Sequence, residues 1–258
     1  MERLNLDAHQ TTIMNRVLQE ESTRREHVVV YLSGAHAYGF PSPDSDLDLK
    51  AIHVADTASL LGFELPPPTV DRSEILEGVE IDYTSNELAH VLSGILGGNG
   101  NFIERVLGKT TPRSSELQVE LRPIVRRSLS RQVHRHYRGF AQNQLRALER
   151  EPTAKKLLYV LRTTATGIHL LETTELETDL TCIMHRYGLA DAAELVERKR
   201  AGERVSLDPV VLEAWRPRVA ELFVRLDAAR ERSHLPETSP NEAEVRAWLL
   251  AVRRARFA

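Results

Sequence analysis

The chain has 258 residues, of which 41% are apolar and 28% charged, a balance typical of a globular protein with a sizeable buried core. Its single cysteine, Cys182, excludes an internal disulfide and a zinc site made of cysteines. No apolar run approaches the ~18 residues of a membrane span, and no basic-then-apolar leader opens the sequence, so we expect a cytoplasmic protein with no membrane contact.

Charge is distributed unevenly along the chain. Residues 1–110 carry 8 basic and 17 acidic side chains, a net of −9, whereas residues 111–258 carry 26 and 20, a net of +6. Such an asymmetry indicates two modules with different tasks, although charges spread over exposed helix faces would produce it as well. Together with the elements that follow, it predicts a catalytic domain over residues 1–112 and a helical domain over residues 113–258.

Helix and strand patterns alternate in the first 110 residues. Residues 8–26 have helical periodicity, and the β-branched, apolar run at 28–32 predicts a buried strand. Apolar and polar residues alternate over 47–54 and again over 79–83, which predicts two more strands. Thr84 and Glu87 then form a capping-box pattern, so a helix is expected to begin there.

From residue 113 onward helical periodicity dominates. Thr153 has the side chain and the position of a helix N-cap. The expected helices lie near 114–150, 153–172, 179–187, 190–201, 209–231 and 240–257. The predicted fold class is therefore α+β: an α/β module with a small mixed sheet, followed by a helical domain.

Two carboxylates open the second predicted strand. Residues two apart on a strand face the same side, so Asp46 and Asp48 project together while the adjacent leucines pack inward. Neighbouring carboxylates repel each other unless a cation lies between them, and Mg²⁺ prefers such hard oxygen ligands. A third carboxylate, Asp82 or Glu80, would complete the site from the third strand. Both lie on one face of that strand, so only the strand register decides between them.

The loop between the first two strands begins with a glycine. Backbone N–H groups in a tight glycine turn at a strand end can cradle phosphate oxygens, and Gly34 lacks the Cβ that would hold a phosphate away. His36 and Tyr38 follow in the same loop, where each could contact a base or a phosphate, or pack against a neighbouring helix.

These motifs resemble those of the DNA polymerase β-like nucleotidyltransferase superfamily, in which a glycine turn and a polar loop precede an Asp-x-Asp strand and a later strand carries a further Asp. Within that superfamily, the chain looks most like the nucleotidyltransferases of the RNA-repair-associated polymerase-β family. The resemblance is carried by Gly34-Ala35-His36-Ala37-Tyr38-Gly39, by Ser45-Asp46-Leu47-Asp48, and by the segments 99–104 and 155–162.

The resemblance implies an enzyme that transfers a nucleoside monophosphate from an NTP to an acceptor hydroxyl and releases pyrophosphate, with ATP or CTP as the expected donor. It also implies that Asp46, Asp48 and Asp82 hold two Mg²⁺ ions, with Mn²⁺ as an alternative metal. The residues that it assigns to the nucleotide are Ser33, Gly34, Ala35, Tyr38, Ser45, Lys155 and Arg162.

Ala35 departs from the superfamily pattern. A serine usually follows the glycine there and places its hydroxyl on a phosphate, and losing one hydrogen bond to a charged group costs about 1.5–3 kcal/mol. Ala35 therefore leaves open a catalytically degenerate protein that binds nucleotide or RNA, although three intact carboxylates argue against it.

A glycosyltransferase, which also uses Asp-x-Asp, is an alternative interpretation of the motif. It would need a nucleotide-sugar domain, for which 110 residues are few.

The expected acceptor is an RNA end, with a protein side chain or a small molecule as alternatives. Arginines recur at three- and four-residue spacing in the first predicted helix of the second domain, which would place them on one face. Such a face would contact RNA phosphates, or it would be a solvated charged surface. The arginines concerned are Arg127, Arg131, Arg135 and Arg138.

Overall fold

The structure is a computed structural model that describes residues 4–202 and 205–257. The chain forms two compact units and crosses from one to the other several times. The first, called the sheet unit, takes the chain up to Gly34, then Asp46–Leu129 and the chain from Ser239 onward; the second, called the helical unit, takes Ala35–Ser45 and Ser130–Thr238. This grouping differs from the predicted division between residues 112 and 113. The loop 35–45 groups with the helical unit, and the segments 113–129 and 239–257 group with the sheet unit because their helices pack there.

The described part of the sheet unit contains a five-stranded mixed sheet. Its strands are β1 (Glu26–Leu32), β2 (Leu47–Val54), β3 (Thr69–Leu76), β4 (Val79–Glu87) and β5 (Arg113–Ser114), in the spatial order β3-β4-β2-β1-β5. β2 and β4 run parallel, whereas the other neighbouring pairs are antiparallel. The predicted α+β class with a small mixed sheet is confirmed.

Helix packing on the sheet follows from the alternation of its strands. The helices of the sheet unit are α1 (Ala8–Ser22), α3 (Leu88–Leu96), α4 (Gly100–Leu107), α5 (Glu116–Ser128) and α11 (Glu242–Arg254), while the short α2 (Gly34–Tyr38) leads into the helical unit. The buried side of α1 carries Ile13, Met14, Val17 and Leu18, and it packs on Leu47, Leu49, Ile81 and Tyr83. Because side chains alternate along a strand, the polar residues of β2 and β4 lie on the other face of the sheet.

The three predicted strands are recovered, and β3 has no counterpart in the sequence-based assignment. β2 spans the predicted residues and β1 begins slightly earlier than predicted, whereas β4 continues to Glu87 because it pairs along its length with both β3 and β2. Thr84 therefore lies inside the strand, and the predicted capping box is wrong. Glu87 is instead the N-cap of α3, and its carboxylate accepts the N–H of Ala89 at 2.7 Å.

The helical unit is built around one buried helix. Its helices are α6 (Val133–Arg150), α7 (Ala154–Thr173), α8 (Leu180–Ile183), α9 (Ala192–Arg200) and α10 (Pro209–Arg232). All of the others contact α7, most of whose side chains are buried. The predicted N-cap of α7 is confirmed, because the Thr153 hydroxyl accepts the N–H of Lys156 at 3.3 Å. Within 4–202 and 205–257, no helix is long and apolar enough to cross a bilayer.

The segment near 114–150 is two helices, so the prediction of one continuous helix is wrong. Between α5 and α6 the chain makes tertiary hydrogen bonds that a helix would not permit. The N–H of Arg131 donates to the carbonyl of Pro236 at 2.8 Å, and its guanidinium donates to the carbonyls of Leu235 and Ser233 at 2.9 and 2.6 Å. These contacts override the local helical preference of the segment.

Candidate active site

Charged side chains from β2 and β4 lie together on the polar face of the sheet. The parallel register pairs Asp48 directly with Asp82. Lys50, two residues farther along β2, reaches both carboxylates: its Nζ lies 3.3 Å from Oδ1 of Asp48 and 2.9 Å from Oδ2 of Asp82. The same ammonium donates to the main-chain carbonyl of Asp82 at 3.3 Å. Lys50, which belongs to none of the sequence motifs, thus lies between two of the three candidate carboxylates.

The register also distinguishes the two rival residues of β4. Pairing between β2 and β4 begins with Leu47 opposite Ile81, so Glu80 precedes the paired stretch and is exposed. Asp82 is the residue of β4 that the structure brings to Asp48. Whether it binds metal stays a prediction.

The electrostatics of the cluster centre on Asp48, whose side chain is 18% exposed. Burial is the largest cause that raises the pKa of the Asp48 carboxyl to about 6, and the charge of Asp46 adds to it. Lys50 lowers this pKa and Asp82 raises it further. The ionised form of Asp48 is therefore disfavoured, and an added cation beside it would relieve that cost.

The donor set suits a divalent cation of the Mg²⁺ type, because it consists of hard carboxylate oxygens on a partly buried face. As the side chains stand, no three His, Cys, Asp or Glu residues of the described chain form a group that could hold a metal ion. The ammonium of Lys50 lies between Asp48 and Asp82. An ion between Asp48 and Asp82 would require Lys50 to move, and metal binding by Asp46, Asp48 and Asp82 stays a prediction.

Gly34 packs against the same carboxylate. Its φ of +64° lies in the left-handed region, and a Cβ at this position would lie 2.2 Å from Oδ2 of Asp48. The preceding residue, Ser33, donates its N–H to the carbonyl of Asp48 at 2.8 Å. The glycine turn therefore holds Asp48 from both its main chain and its side chain. A phosphate contact of Ser33 and Gly34 stays a prediction.

Three of the predicted nucleotide-binding residues come together within the helical unit. The guanidinium of Arg162, buried at 2% exposure, lies 3.6 Å from the centre of the Tyr38 ring. Tyr38 in turn meets the edge of Tyr159 at 5.5 Å between ring centres, and Nζ of Lys155 lies 5.9 Å from the Tyr159 ring. Tyr159 was not predicted, although its spacing from Lys155 and Arg162 places all three on one side of α7. These residues form a cluster of rings and cations whose contact with a nucleotide stays a prediction.

Ser45 is engaged inside the helical unit. Its hydroxyl accepts the N–H of Ser42 at 3.0 Å and lies 3.3 Å from Nζ of Lys199, which is also 2.6 Å from the Ser42 hydroxyl. Lys199 is fully buried, and nothing in the sequence separates it from the more exposed basic neighbours on α9. The lysine holds the loop that precedes Asp46. Ala35, in the same loop, is buried at 2% exposure.

The prediction that the four arginines share one helix face is wrong, because α5 and α6 are separate helices. A contact of these arginines with RNA stays a prediction. Arg127 belongs to the sheet unit, where its Nε lies 3.1 Å from Glu244. Arg131 and Arg138 belong to the helical unit, where they pair with Glu237 at 2.9 Å and Asp227 at 2.8 Å.

An open groove of about 590 Å³ lies beside α6 in the helical unit. The exposed Arg135 is in its lining, and it takes part in none of the ion pairs described above. The lining also includes His134 and the charged residues Arg131, Arg138, Arg230 and Glu237. Basic side chains therefore outnumber acidic ones in a groove that is open to solvent.

The chain is similar to known proteins over most of its length. Residues 10–251 match the family described as the RNA repair pathway DNA polymerase beta family, a range that includes every candidate residue named above. A relative from Methanocaldococcus jannaschii, itself described as an uncharacterized protein, is 28% identical over 230 residues, which are 85% of this chain and 91% of that one. The crystal structure of a nucleotidyltransferase-like protein from Exiguobacterium sibiricum is 12% identical with a TM-score of 0.33, over 95% of this chain and 80% of that one.

Proposed function

Because the chain belongs to the RNA repair pathway DNA polymerase beta family, a group of polymerase-β-like nucleotidyltransferases, we propose that it transfers a nucleoside monophosphate from an NTP to a hydroxyl at an RNA end. The observation that carries the proposal is the register of β2 and β4, which pairs Asp48 with Asp82 next to Asp46. That arrangement supports the ligand set implied by the resemblance.

The proposed reaction exchanges one phosphorus–oxygen bond for another. A bond forms between the acceptor oxygen and the α-phosphorus, and the bond from that phosphorus to the oxygen bridging toward the β-phosphate breaks. Pyrophosphate leaves with the electron pair of the broken bond, and the proton of the hydroxyl passes to water. Mg²⁺ bound at Asp46 and Asp48 would neutralise charge on the triphosphate and favour the deprotonated acceptor.

The chain's own contribution is to hold the Asp48 carboxylate in place. Asp48 is fixed by the ladder to β4, by the N–H of Ser33 and by contact with Gly34, so its carboxylate has little freedom. Sites on regular strands keep their geometry better than sites on loops. A preorganised Asp48 carboxylate therefore supports positioning and charge neutralisation, which supply most of the catalysis in phosphoryl transfer.

The proposed function is tested by incubating the purified protein with each NTP in turn, Mg²⁺ or Mn²⁺, and a pool of RNA. We expect pyrophosphate release that depends on one preferred NTP and on RNA, together with labelled RNA when the α-phosphate is labelled. A folded protein that binds NTP but releases no pyrophosphate under any of these conditions would be a binding protein instead.

The Gly34→Ala variant should lose nucleotidyl transfer, because a Cβ there forces the Asp48 carboxylate to move. Gly78→Ala is a matched control: Gly78 also has a positive φ, of +86°, but a Cβ would meet nothing within 4 Å. Each variant should lose roughly 1–2 kcal/mol of stability from the left-handed backbone alone. Only Gly34→Ala should lose activity beyond what its melting temperature explains, and equal activity losses in the two variants would contradict the role of Gly34.

Arg135→Gln should weaken RNA binding if the groove beside α6 carries the acceptor. Removing one ionic interaction with an RNA phosphate reduces the slope of log affinity against log salt by about 0.7 for a single strand or 0.9 for a duplex. Arg127→Gln removes the same charge from an arginine that pairs with Glu244, and it should leave the slope unchanged. Fluorescence anisotropy with labelled RNA at several salt concentrations measures both slopes, and NTP affinity should stay the same in both variants. Identical slopes for Arg135→Gln and the wild type would remove the groove from the acceptor site.

A further inference from the structure

The ammonium group of Lys50 occupies the space between the carboxylates of Asp48 and Asp82. Its Nζ lies 3.3 and 2.9 Å from one oxygen of each, and the lysine side chain is 19% exposed. A divalent ion shared by the two carboxylates would need the same space, because Mg²⁺ binds oxygen at about 2.0–2.1 Å. Lys50 and such an ion therefore exclude each other.

The net charge of the cluster also favours one divalent ion, rather than two, while Lys50 is in place. The three ionised carboxylates and Lys50 together carry a charge of −2, which one divalent cation neutralises. A second divalent cation would make the site strongly positive before any nucleotide is present, and like charges at such short range repel. A triphosphate, in contrast, brings enough negative charge to accommodate both a second ion and a displaced ammonium.

We propose that Lys50 is a positioning residue that acts as the built-in second cation of the metal site, an inference that rests on the proposed function. Without nucleotide the protein takes one divalent ion at Asp46 and Asp48, while Lys50 holds Asp82. When the triphosphate binds, the ammonium turns from Asp82 toward phosphate oxygens, and Asp82 becomes available to a second ion. The flexible four-carbon stem of lysine, with its rotatable ammonium donors, permits this exchange of partners.

The test is to count and titrate Mn²⁺ without nucleotide, by electron paramagnetic resonance of free Mn²⁺ and by calorimetry. We expect one bound Mn²⁺ in the wild type, with nearly the same affinity in Asp82→Asn. Lys50→Met should bind a second Mn²⁺ or bind the first about tenfold more tightly, a difference of about 1.4 kcal/mol. The double variant Lys50→Met, Asp82→Asn should lose that gain, and Lys50→Arg, which keeps the charge, should behave as the wild type.

A second measurement uses only the wild-type protein. In the wild type, the ¹⁵N resonance of the Lys50 ammonium should be little changed by Mg²⁺ alone and should shift when Mg²⁺ and a non-hydrolysable ATP analogue are added together. Thermal unfolding in EDTA checks that Lys50→Met, which preserves the apolar stem, is folded.

The outcomes separate the two proposals. A wild type that binds two Mn²⁺ ions and loses one in Asp82→Asn overturns the role of Lys50 and leaves the proposed function standing. The role of Lys50 is also overturned, and the proposed function stands, if Mn²⁺ binding requires Asp46 but a folded Lys50→Met variant binds the same number of Mn²⁺ ions with the same affinity as the wild type. A wild type that binds no Mn²⁺ with or without nucleotide overturns the proposed metal site, and the role of Lys50 with it, before any lysine variant is made.

Discussion

Replacing Asp46 or Asp48 by Asn should abolish pyrophosphate release while leaving the fold intact. Each substitution removes one negative oxygen ligand from the proposed metal site but keeps the shape of the side chain. Metal ions contribute several kcal/mol of charge stabilisation in the transition state, and each 1.36 kcal/mol is tenfold in rate, so we expect a loss of about a thousandfold or more. Single-turnover assays with labelled NTP measure the rate, and circular dichroism verifies the fold.

A neighbouring pair of residues supplies the control for this loss. Asp82→Asn should also reduce the rate severely, whereas Glu80→Gln, an equivalent change at an exposed position outside the β2–β4 ladder, should not. Normal turnover in both Asp46→Asn and Asp48→Asn would contradict the proposed mechanism. A loss in Glu80→Gln with full activity in Asp82→Asn would identify Glu80, rather than Asp82, as the carboxylate of β4 that the reaction needs.

Without metal, Asp48→Asn should be more stable than the wild type at neutral pH. The folded-state pKa of Asp48 is raised from 3.8 to about 6, chiefly by burial and by the charge of Asp46, so the native state binds this proton more tightly than the unfolded chain. The wild type therefore loses stability as the pH rises from about 4 to about 6, and above pH 6 the ionised carboxylate costs about 3 kcal/mol. Asparagine cannot ionise and avoids that cost.

Urea unfolding in EDTA at pH 4 and at pH 7.5 measures the effect as a difference between the variant and the wild type. The gain should be largest at pH 7.5 and nearly absent at pH 4, where the carboxyl of Asp48 is protonated in the folded protein. Adding Mn²⁺ at pH 7.5 should reduce the gain, because the ion stabilises the wild type by binding to it. A variant that is less stable than the wild type at both pH values would show that the pairing of Asp48 with Lys50 outweighs the cost of ionisation.

The parts of the site that the sequence predicts are those that depend on local spacing. Alternation predicts that Asp46 and Asp48 project to the same side, and β2 has the predicted range, beginning at Leu47 directly after Asp46. Lys50 continues the same alternation, but its ion pair with Asp82 depends on which strand lies beside β2. The pairing of β2 with β4 is not a local property of the chain, so the lysine carries no signal until the register is known.

The other differences between the predicted and the observed elements also arise from contacts between residues far apart in the sequence. The side chains of β3 alternate only between half-buried and exposed, because this strand lies at the edge of the sheet. The best local sign of β3 is the Glu77-Gly78 turn after it, in which both residues have positive φ. The interruption between α5 and α6 depends on hydrogen bonds from Arg131 to residues about a hundred positions later. Helical periodicity on either side of such an interruption cannot reveal it.

Helix α11 gives the sheet unit an unusual order of assembly during synthesis. Its Arg253 pairs with the buried Glu87 at the end of β4 and donates to the carbonyl of Ala55 after β2 at 3.0 Å, while Arg256 holds Glu26 at the start of β1 at 2.9 Å. A ribosome makes the strands first, then the whole stretch 130–238, and only then this helix. A nascent chain that ends within the helical unit therefore lacks the two arginines that, in the complete protein, join the ends of β1, β2 and β4 to the C-terminal segment.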